Sequence, residues 1–289
     1  MTHLTPLPRI ILEPIVRRAL EEDFGNSGDL TASILVPEEA RNKLTFRPRE
    51  TGIICGHQLA ALTYELVDHA AKYDSTIMDG SAVKKHDVIS VVSGPARSLL
   101  SAERVALNFM GRMSGIATLT SKYVAAVKGT KARIAATRKT TPGLRALEKH
   151  AVLAGGGFTH RESLAAAIMI KDNHIALAGG VDAALSRIKA RADHMTKVSV
   201  EVDTLEQYET VLTYEPDVIL LDNMSPKQLA EAVKIAGKTK YRRPTLEASG
   251  GVNLDTVAGI AASGVDVISV GALTHSAPNF DIGLDALNS

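Results

Sequence analysis

After residue 130 the chain settles into a rhythm: a short apolar run, a charged or small polar residue at its end, then a helical stretch. The runs are Ala132–Ala136 before Arg138-Lys139, Ala167–Ile170 before Lys171-Asp172, and Val198–Val200 before Glu201. They continue with Val218–Leu221 before Asp222, Thr245-Leu246 before Glu247-Ala248-Ser249, and Val267–Val270 before Gly271. Successive polar ends lie roughly 21 to 33 residues apart, the length of one strand plus one covering helix. Largely apolar strands suit a parallel sheet covered on both faces. The spacing therefore predicts an α/β fold: an open, TIM-like α/β barrel with fewer than eight strands. In such barrels the carboxyl ends of the strands converge on one mouth. Arg138, Lys139, Lys171, Glu201, Asp222, Glu247 and Ser269 all fall there. A single charge after a strand means only that the chain is emerging into water. Charge at nearly every strand end points to a site.

The first 112 residues have no such rhythm and read as an N-terminal α+β domain, rejoined by residues 276–289, with the barrel over 113–275. Pro14 to Leu20 predicts a short helix with proline in its first turn. Asp29 or Thr31 can cap the segment after the Gly25–Asp29 turn. A helix is expected over Leu59–Ala71, a strand over Val88–Val92, and a long helix from Ala102. The formal net charge of this 289-residue chain is +1, so no global field favours nucleic acid or anionic lipid, and an anion site must be a local cluster of cations. Cys55 is the only cysteine, which excludes an intrachain disulfide and argues against a cysteine-based metal site. No apolar run is long enough to suggest a membrane span, and Met1 to Arg9 lacks a signal-peptide core. A cytoplasmic location is the expectation.

The polar ends divide by charge. Arg138 and Lys139, His160 and Arg161 after the Gly155–Gly157 turn, and Lys171 place cations near one mouth. Arginine's planar fork can grip a carboxylate in two places, whereas lysine acts as a movable point charge. The glycine triplet by itself is equally a helix-terminating turn. Glu201 and Asp222 end consecutive strands. Two readings remain open for them: carboxylates holding Mg²⁺ against substrate phosphates, or partners of Lys and Arg across the barrel. Ser249-Gly250-Gly251 and Ser269-Val270-Gly271 follow the last two strands, where many barrels bind phosphate with backbone N–H groups. Tight packing would also call for glycine there.

Taken together, the segments resemble quinolinate phosphoribosyltransferases over nearly the whole chain. The marks are Glu22-Asp23, Gly28-Asp29-Leu30-Thr31, Glu103-Arg104, Asn108, Gly115-Ile116-Ala117-Thr118 and Thr137-Arg138-Lys139-Thr140-Thr141-Pro142-Gly143. They run on through Gly155-Gly156-Gly157, His160-Arg161, Ile170-Lys171-Asp172-Asn173-His174, Glu201-Val202 and Leu221-Asp222-Asn223. Glu247-Ala248-Ser249-Gly250-Gly251 and Ser269-Val270-Gly271-Ala272-Leu273-Thr274-His275 close the series.

The resemblance implies a homodimer, or a higher oligomer, with sites shared between subunits. It implies that Arg138, His160, Arg161 and Lys171 hold the quinolinate carboxylates, with Arg104 reaching in from a neighbouring subunit. Lys139, Glu201 and Asp222 would face phosphoribosyl pyrophosphate and its Mg²⁺. Ser249, Gly250, Gly251, Ser269 and Gly271 would cradle the 5′-phosphate, with His275 close by. The implied reaction joins quinolinate to the phosphoribosyl group and decarboxylates it to nicotinate mononucleotide, with Lys139, Lys171, Glu201 and Asp222 as its catalytic groups. Three positions depart from the family pattern: Thr159 where asparagine is common, Ala166 where aspartate is frequent, and His150 where tyrosine is frequent. None removes a proposed charge contact. The rival readings are a phosphoribosyltransferase for another aromatic acid such as nicotinate, a phosphate-binding barrel isomerase or decarboxylase, and a catalytically silent binding subunit.

Overall fold

The computed structural model describes residues 4–286. Residues 1–3 and 287–289, which the expected domain boundaries include, lie outside the described residues. In chain order the elements begin with α1 (Arg9–Phe24), α2 (Leu30–Leu35), β1 (Arg41–Pro48), β2 (Gly52–Ile53), α3 (His57–Val67) and β3 (Lys72–Ser75). Next come β4 (Ala82–Val83), β5 (Ser90–Pro95), α4 (Ala96–Ala126), β6 (Arg133–Ala135), α5 (Arg145–Ala154), β7 (Ile168–Ile170), α6 (Asp172–Ala178) and α7 (Val181–Arg191). The chain continues with β8 (Val198–Val202), α8 (Leu205–Leu212), β9 (Val218–Asp222), α9 (Pro226–Lys238) and β10 (Thr245–Ser249). It closes with α10 (Val257–Ala262), β11 (Val267–Ser269), α11 (Ala272–His275) and β12 (Ile282–Ala286). Two compact units result. One takes the residues up to Ser121, Thr140–Gly156 and those from Ser276 on; the other takes Lys122–Lys139 and Gly157–His275.

The first unit is built on an antiparallel sheet in the order β12-β1-β5-β3. Strand β5 alternates buried and half-buried residues, the pattern of a sheet with one face on a core. Phe46, Tyr64, Ile89, Val92, Leu99 and Met110 form that core. The C-terminal segment crosses α4 at two glycines before adding β12 to β1. Phe280 N–H donates to the Gly111 carbonyl at 2.9 Å, and a Cβ at Gly115 would lie 1.9 Å from the Pro278 carbonyl oxygen. Within the same unit, the Glu148 carboxylate is buried and fully engaged. It accepts from the Thr141 N–H at 3.0 Å, the Thr141 hydroxyl at 2.7 Å and the Arg112 guanidinium at 2.6 Å.

Several boundaries differ from those expected. Helix α1 begins at Arg9, just after Pro8, so Pro14 lies inside it rather than in its first turn. Leu12, Val16 and Leu20 at four-residue spacing bury one face, and that packing outweighs the N–H that Pro14 lacks. Helix α3 stops at Val67 because Asp68 turns extended and accepts the Ala70 N–H at 2.8 Å. Strand β5 begins two residues later than expected, and α4 starts at Ala96, directly after Pro95. Of the two possible caps for α2, Asp29 is used, accepting the Ala32 N–H at 2.9 Å.

The second unit is a parallel sheet of six strands in the order β6-β11-β10-β9-β8-β7. All six line common interior space, so the sheet is rolled into a barrel left open between β6 and β7. Ile219, Leu221, Leu246, Ala248 and Ile268 are almost completely buried on its other face. Two aspartates lock adjacent strands at their amino ends. The Asp217 carboxylate accepts the Val198 N–H while its own N–H donates to the Val198 carbonyl, both at 2.9 Å. Asp266 does the same to Leu246, again at 2.9 Å in both directions. Among the described residues no helix is long and apolar enough to cross a membrane.

Candidate active site

Side chains in a strand alternate between faces, so residues two apart share a face. The barrel interior follows that rule strand by strand: Met169 and Lys171, Ser199 and Glu201, Leu220 and Asp222, Glu247 and Ser249, Ser269 and Gly271. Register thus converts six separate strand ends into one ring of polar groups. At the carboxyl end the ring surrounds a cavity of about 590 Å³. Arg138, Lys139, His160, Arg161, Lys171, Glu201, Asp222, Ser249, Gly250, Gly251, Ser269, Gly271 and His275 all line it. Arg104 is not among the lining residues; it is exposed on α4, in the first unit.

One side of the mouth concentrates positive charge. Burial, with the charge of Arg138 beside it, holds the Arg161 guanidinium below its ordinary pKa. Arg161 is steadied by donating to the Ala167 carbonyl at 2.9 Å. Arg138 Nε is buried without a hydrogen-bond partner. Two neighbouring cations, one with a buried unsatisfied donor, are a costly arrangement that an anionic ligand would relieve.

At the ends of the adjacent strands β7 and β8, Lys171 and Glu201 form an ion pair, with Lys171 donating to Oε2. This is one of the two readings left open by the sequence for Glu201. The His174 ring accepts the Lys171 N–H at 3.0 Å and so shapes the strand end that presents the lysine. Asp222 accepts from the Asn223 side chain at 2.7 Å. Among the described residues, Glu201 and Asp222 belong to no group of three His, Cys or carboxylate side chains at mutual ligand distance. That donor set fits an Mg²⁺ ion drawing most of its oxygens from substrate phosphates and water, rather than one caged by protein.

The remaining side is built from tight turns. Gly250 has φ +87°, and a Cβ there would come within 2.2 Å of Asn223 Oδ1. Asn223 is itself left-handed, with φ 53°, and donates its N–H to the Ser249 carbonyl at 2.9 Å. At Gly271 a Cβ would meet Lys139 Cδ at 3.0 Å and His275 Nε2 at 3.1 Å. The second turn leads straight into α11, while residues 250–256 separate the first from α10. The first turn therefore offers turn N–H groups rather than a helix end. Thr274 ties the two sides together by donating its hydroxyl to the Lys139 carbonyl at 2.7 Å.

Glu247 is the member of the ring whose task the sequence did not reveal. It is buried, accepts a hydrogen bond from the Ser269 hydroxyl, and lies 3.5 Å from His160 Nε2. Its signal was its position at a strand end; its partners come from residues 22 and 87 positions away. Thr159 and Ala166, two of the departures from the family pattern, are both exposed.

Comparison with known proteins matches the chain to two family models. "Quinolinate phosphoribosyl transferase, N-terminal domain" covers residues 29–114 and "Quinolinate phosphoribosyl transferase, C-terminal domain" covers 116–285. The chain is 44% identical over 274 residues to nicotinate-nucleotide pyrophosphorylase [carboxylating] of Mycobacterium leprae, covering 93% of this chain and 95% of that protein. It is 39% identical to the probable nicotinate-nucleotide pyrophosphorylase [carboxylating] of Bacillus subtilis, covering 95% and 93%. Among solved structures, the nicotinate-nucleotide pyrophosphorylase of Francisella tularensis superposes with a TM-score of 0.92 at 35% identity, covering 99% of both chains.

Proposed function

Because the chain belongs to the quinolinate phosphoribosyltransferase family, we propose that its barrel mouth is the catalytic site, each substrate being held by a different part of the ring. The chain transfers the phosphoribosyl group of phosphoribosyl pyrophosphate to quinolinate with decarboxylation. The products are nicotinate mononucleotide, pyrophosphate and CO₂, in a step of NAD biosynthesis.

In this reading quinolinate docks against Arg138, His160, Arg161 and Lys171, its two carboxylates meeting the concentrated positive charge. The observation that carries the assignment is the Arg138–Arg161 pair with the buried, partnerless Arg138 Nε. The 5′-phosphate sits on the backbone of the Ser249-Gly250-Gly251 and Ser269–Gly271 turns, with His275 beside it. Lys139, Glu201 and Asp222 face the ribose and pyrophosphate. An Mg²⁺ bound through Glu201 and Asp222 would supply charge neutralisation to the departing pyrophosphate.

As the bond from C1′ to pyrophosphate breaks, positive charge spreads over the ribose. The Glu201 or Asp222 carboxylate stabilises that charge from a fixed position. The arginines hold the pyridine nitrogen in line with C1′, so that attack is effectively intramolecular. When the adjacent carboxylate departs as CO₂, the pyridinium nitrogen so formed stabilises the electron pair left on C2, which then takes up a proton from solvent to give nicotinate mononucleotide, and no separate electron sink is needed. Lys171, paired with Glu201, balances charge as the dianion arrives.

The active assembly is a cytoplasmic homodimer in which Arg104 of each subunit completes its neighbour's site. Arg138→Ala tests the carboxylate assignment by calorimetric titration with quinolinate. Loss of one charge-assisted anchor should cost about 2–3 kcal/mol, or roughly 30- to 150-fold in affinity. Unchanged quinolinate affinity in a folded variant would overturn it.

A further inference from the structure

Away from the barrel mouth, three side chains far apart in sequence meet inside the first unit. Cys55 follows β2, Asp79 lies in the turn before β4, and His150 is in the middle of α5. The Cys55 Sγ, an Asp79 carboxylate oxygen and a His150 ring nitrogen all lie within 4.8 Å of one another. Cys55 and His150 are buried, while the Asp79 side chain keeps a narrow exposed edge. The phosphoribosyl chemistry uses none of them.

The spacing is close to that of ligands around a common centre. His150 Nε2 and Asp79 Oδ2 are 4.0 Å apart. That is beyond hydrogen-bond reach and a few tenths of an ångström wider than the roughly 3.3–3.6 Å between two ligand atoms held about 2.0–2.2 Å from one tetrahedral ion, a gap that a small inward turn of the two side chains closes. The carboxylate is already oriented: its Oδ1 accepts the N–H groups of Gly56 at 3.0 Å and His57 at 3.2 Å, and the Cys55 thiol hydrogen-bonds to the same side chain, so a bound cation would take the place of that thiol proton. Metal-binding carboxylates are commonly fixed by such outer hydrogen bonds. Nearby, His57 donates or accepts through Nδ1 to the Tyr73 hydroxyl at 2.7 Å, and its Nε2 is buried without a partner. This pocket of the first unit is therefore polar but under-satisfied.

We propose that Cys55, Asp79 and His150 form a structural site for a zinc-class divalent cation, pinning α5 to the turns that precede α3 and β4. A thiolate, an imidazole and one carboxylate suit zinc or cobalt and poorly suit magnesium. Three protein ligands leave a fourth position for water, reached along the exposed edge of Asp79. The single cysteine argued against a cysteine metal centre, but a mixed ligand set requires only one. Binding forms three metal–ligand bonds and releases the thiol proton to solvent, with no change of oxidation state.

The test uses the full chain, stripped with a chelator and titrated with Co²⁺ in excess Mg²⁺. The expected result is saturation at about one equivalent, with near-ultraviolet sulfur-to-cobalt charge-transfer absorption that Zn²⁺ erases. Cys55 is the only cysteine, so that absorption can arise from no other residue. His150→Gln should weaken cobalt binding at least about tenfold, and Asp79→Asn provides the same readout if the first variant does not fold. Cobalt binding without thiolate absorption, no cobalt binding, or affinity unchanged in a folded His150→Gln variant would each overturn the site.

Discussion

At Gly250 neither the backbone angle, φ +87°, nor the space, which Asn223 fills, allows a side chain. Gly250→Ala must move Asn223 or unwind the turn, at a cost of about 1–3 kcal/mol. If this turn holds the 5′-phosphate, the KM for phosphoribosyl pyrophosphate should rise roughly 5- to 150-fold while quinolinate affinity stays near normal. Steady-state kinetics varying each substrate in turn would show this, and an equal loss for both substrates would contradict it. The glycine turns and the cations of the mouth were legible in the sequence because each sits in a short contiguous motif. Glu247 was legible as a strand-end acid but not as the partner of His160 and Ser269, since that role depends on how distant strands lie side by side. Cys55, Asp79 and His150 were illegible as a group for the same reason.

Among the elements, the six parallel strands were readable because each apolar run ends in a polar group at a nearly regular interval. Their boundaries moved by a residue or two, and the helices of the first unit moved further. There, local side-chain bonds such as Asp68 to Ala70 stop a helix that hydrophobic periodicity would continue. The amino-end clamps on the barrel went unread, because an aspartate before a strand looks like any solvated turn residue.

Asp266 shows what such a clamp does. Burial pushes its carboxyl up, but the Leu246 N–H, Lys131 and Arg243 outweigh burial and hold it below the ordinary value of 3.8. A carboxyl depressed in the folded state adds stability above its unfolded pKa and loses it as pH falls through the folded value. Asp266→Asn should therefore cost about 1–2 kcal/mol at pH 7. The gap to the parent chain should begin to narrow only below about pH 4, the ordinary carboxyl value, and close once pH has fallen past the lower folded value. Urea unfolding at several pH values would show it; a gap that does not narrow at all between pH 7 and pH 2 would mean the charge is not what matters.

For the whole molecule, the claim with the longest reach is that sites are shared between subunits. Arg104 is exposed on α4, whereas the other proposed quinolinate ligands ring the mouth of the second unit. If Arg104 acts in a neighbour's site, Arg104→Ala and Lys171→Ala variants should each be nearly inactive alone. Mixing and refolding them together should restore up to about a quarter of the parent activity, because a mixed dimer contains one intact site. No recovery on mixing would place Arg104 within its own subunit's chemistry or outside it altogether. Strand spacing and charge pattern carry no sign of a shared site; only the family resemblance implies one.

The most direct test of the proposed reaction tracks the carbon that leaves. Quinolinate labelled at its 2-carboxylate should release labelled CO₂ only when phosphoribosyl pyrophosphate and Mg²⁺ are both present, in step with formation of nicotinate mononucleotide. Release without phosphoribosyl pyrophosphate, or nucleotide formed while the label stays behind, would contradict it.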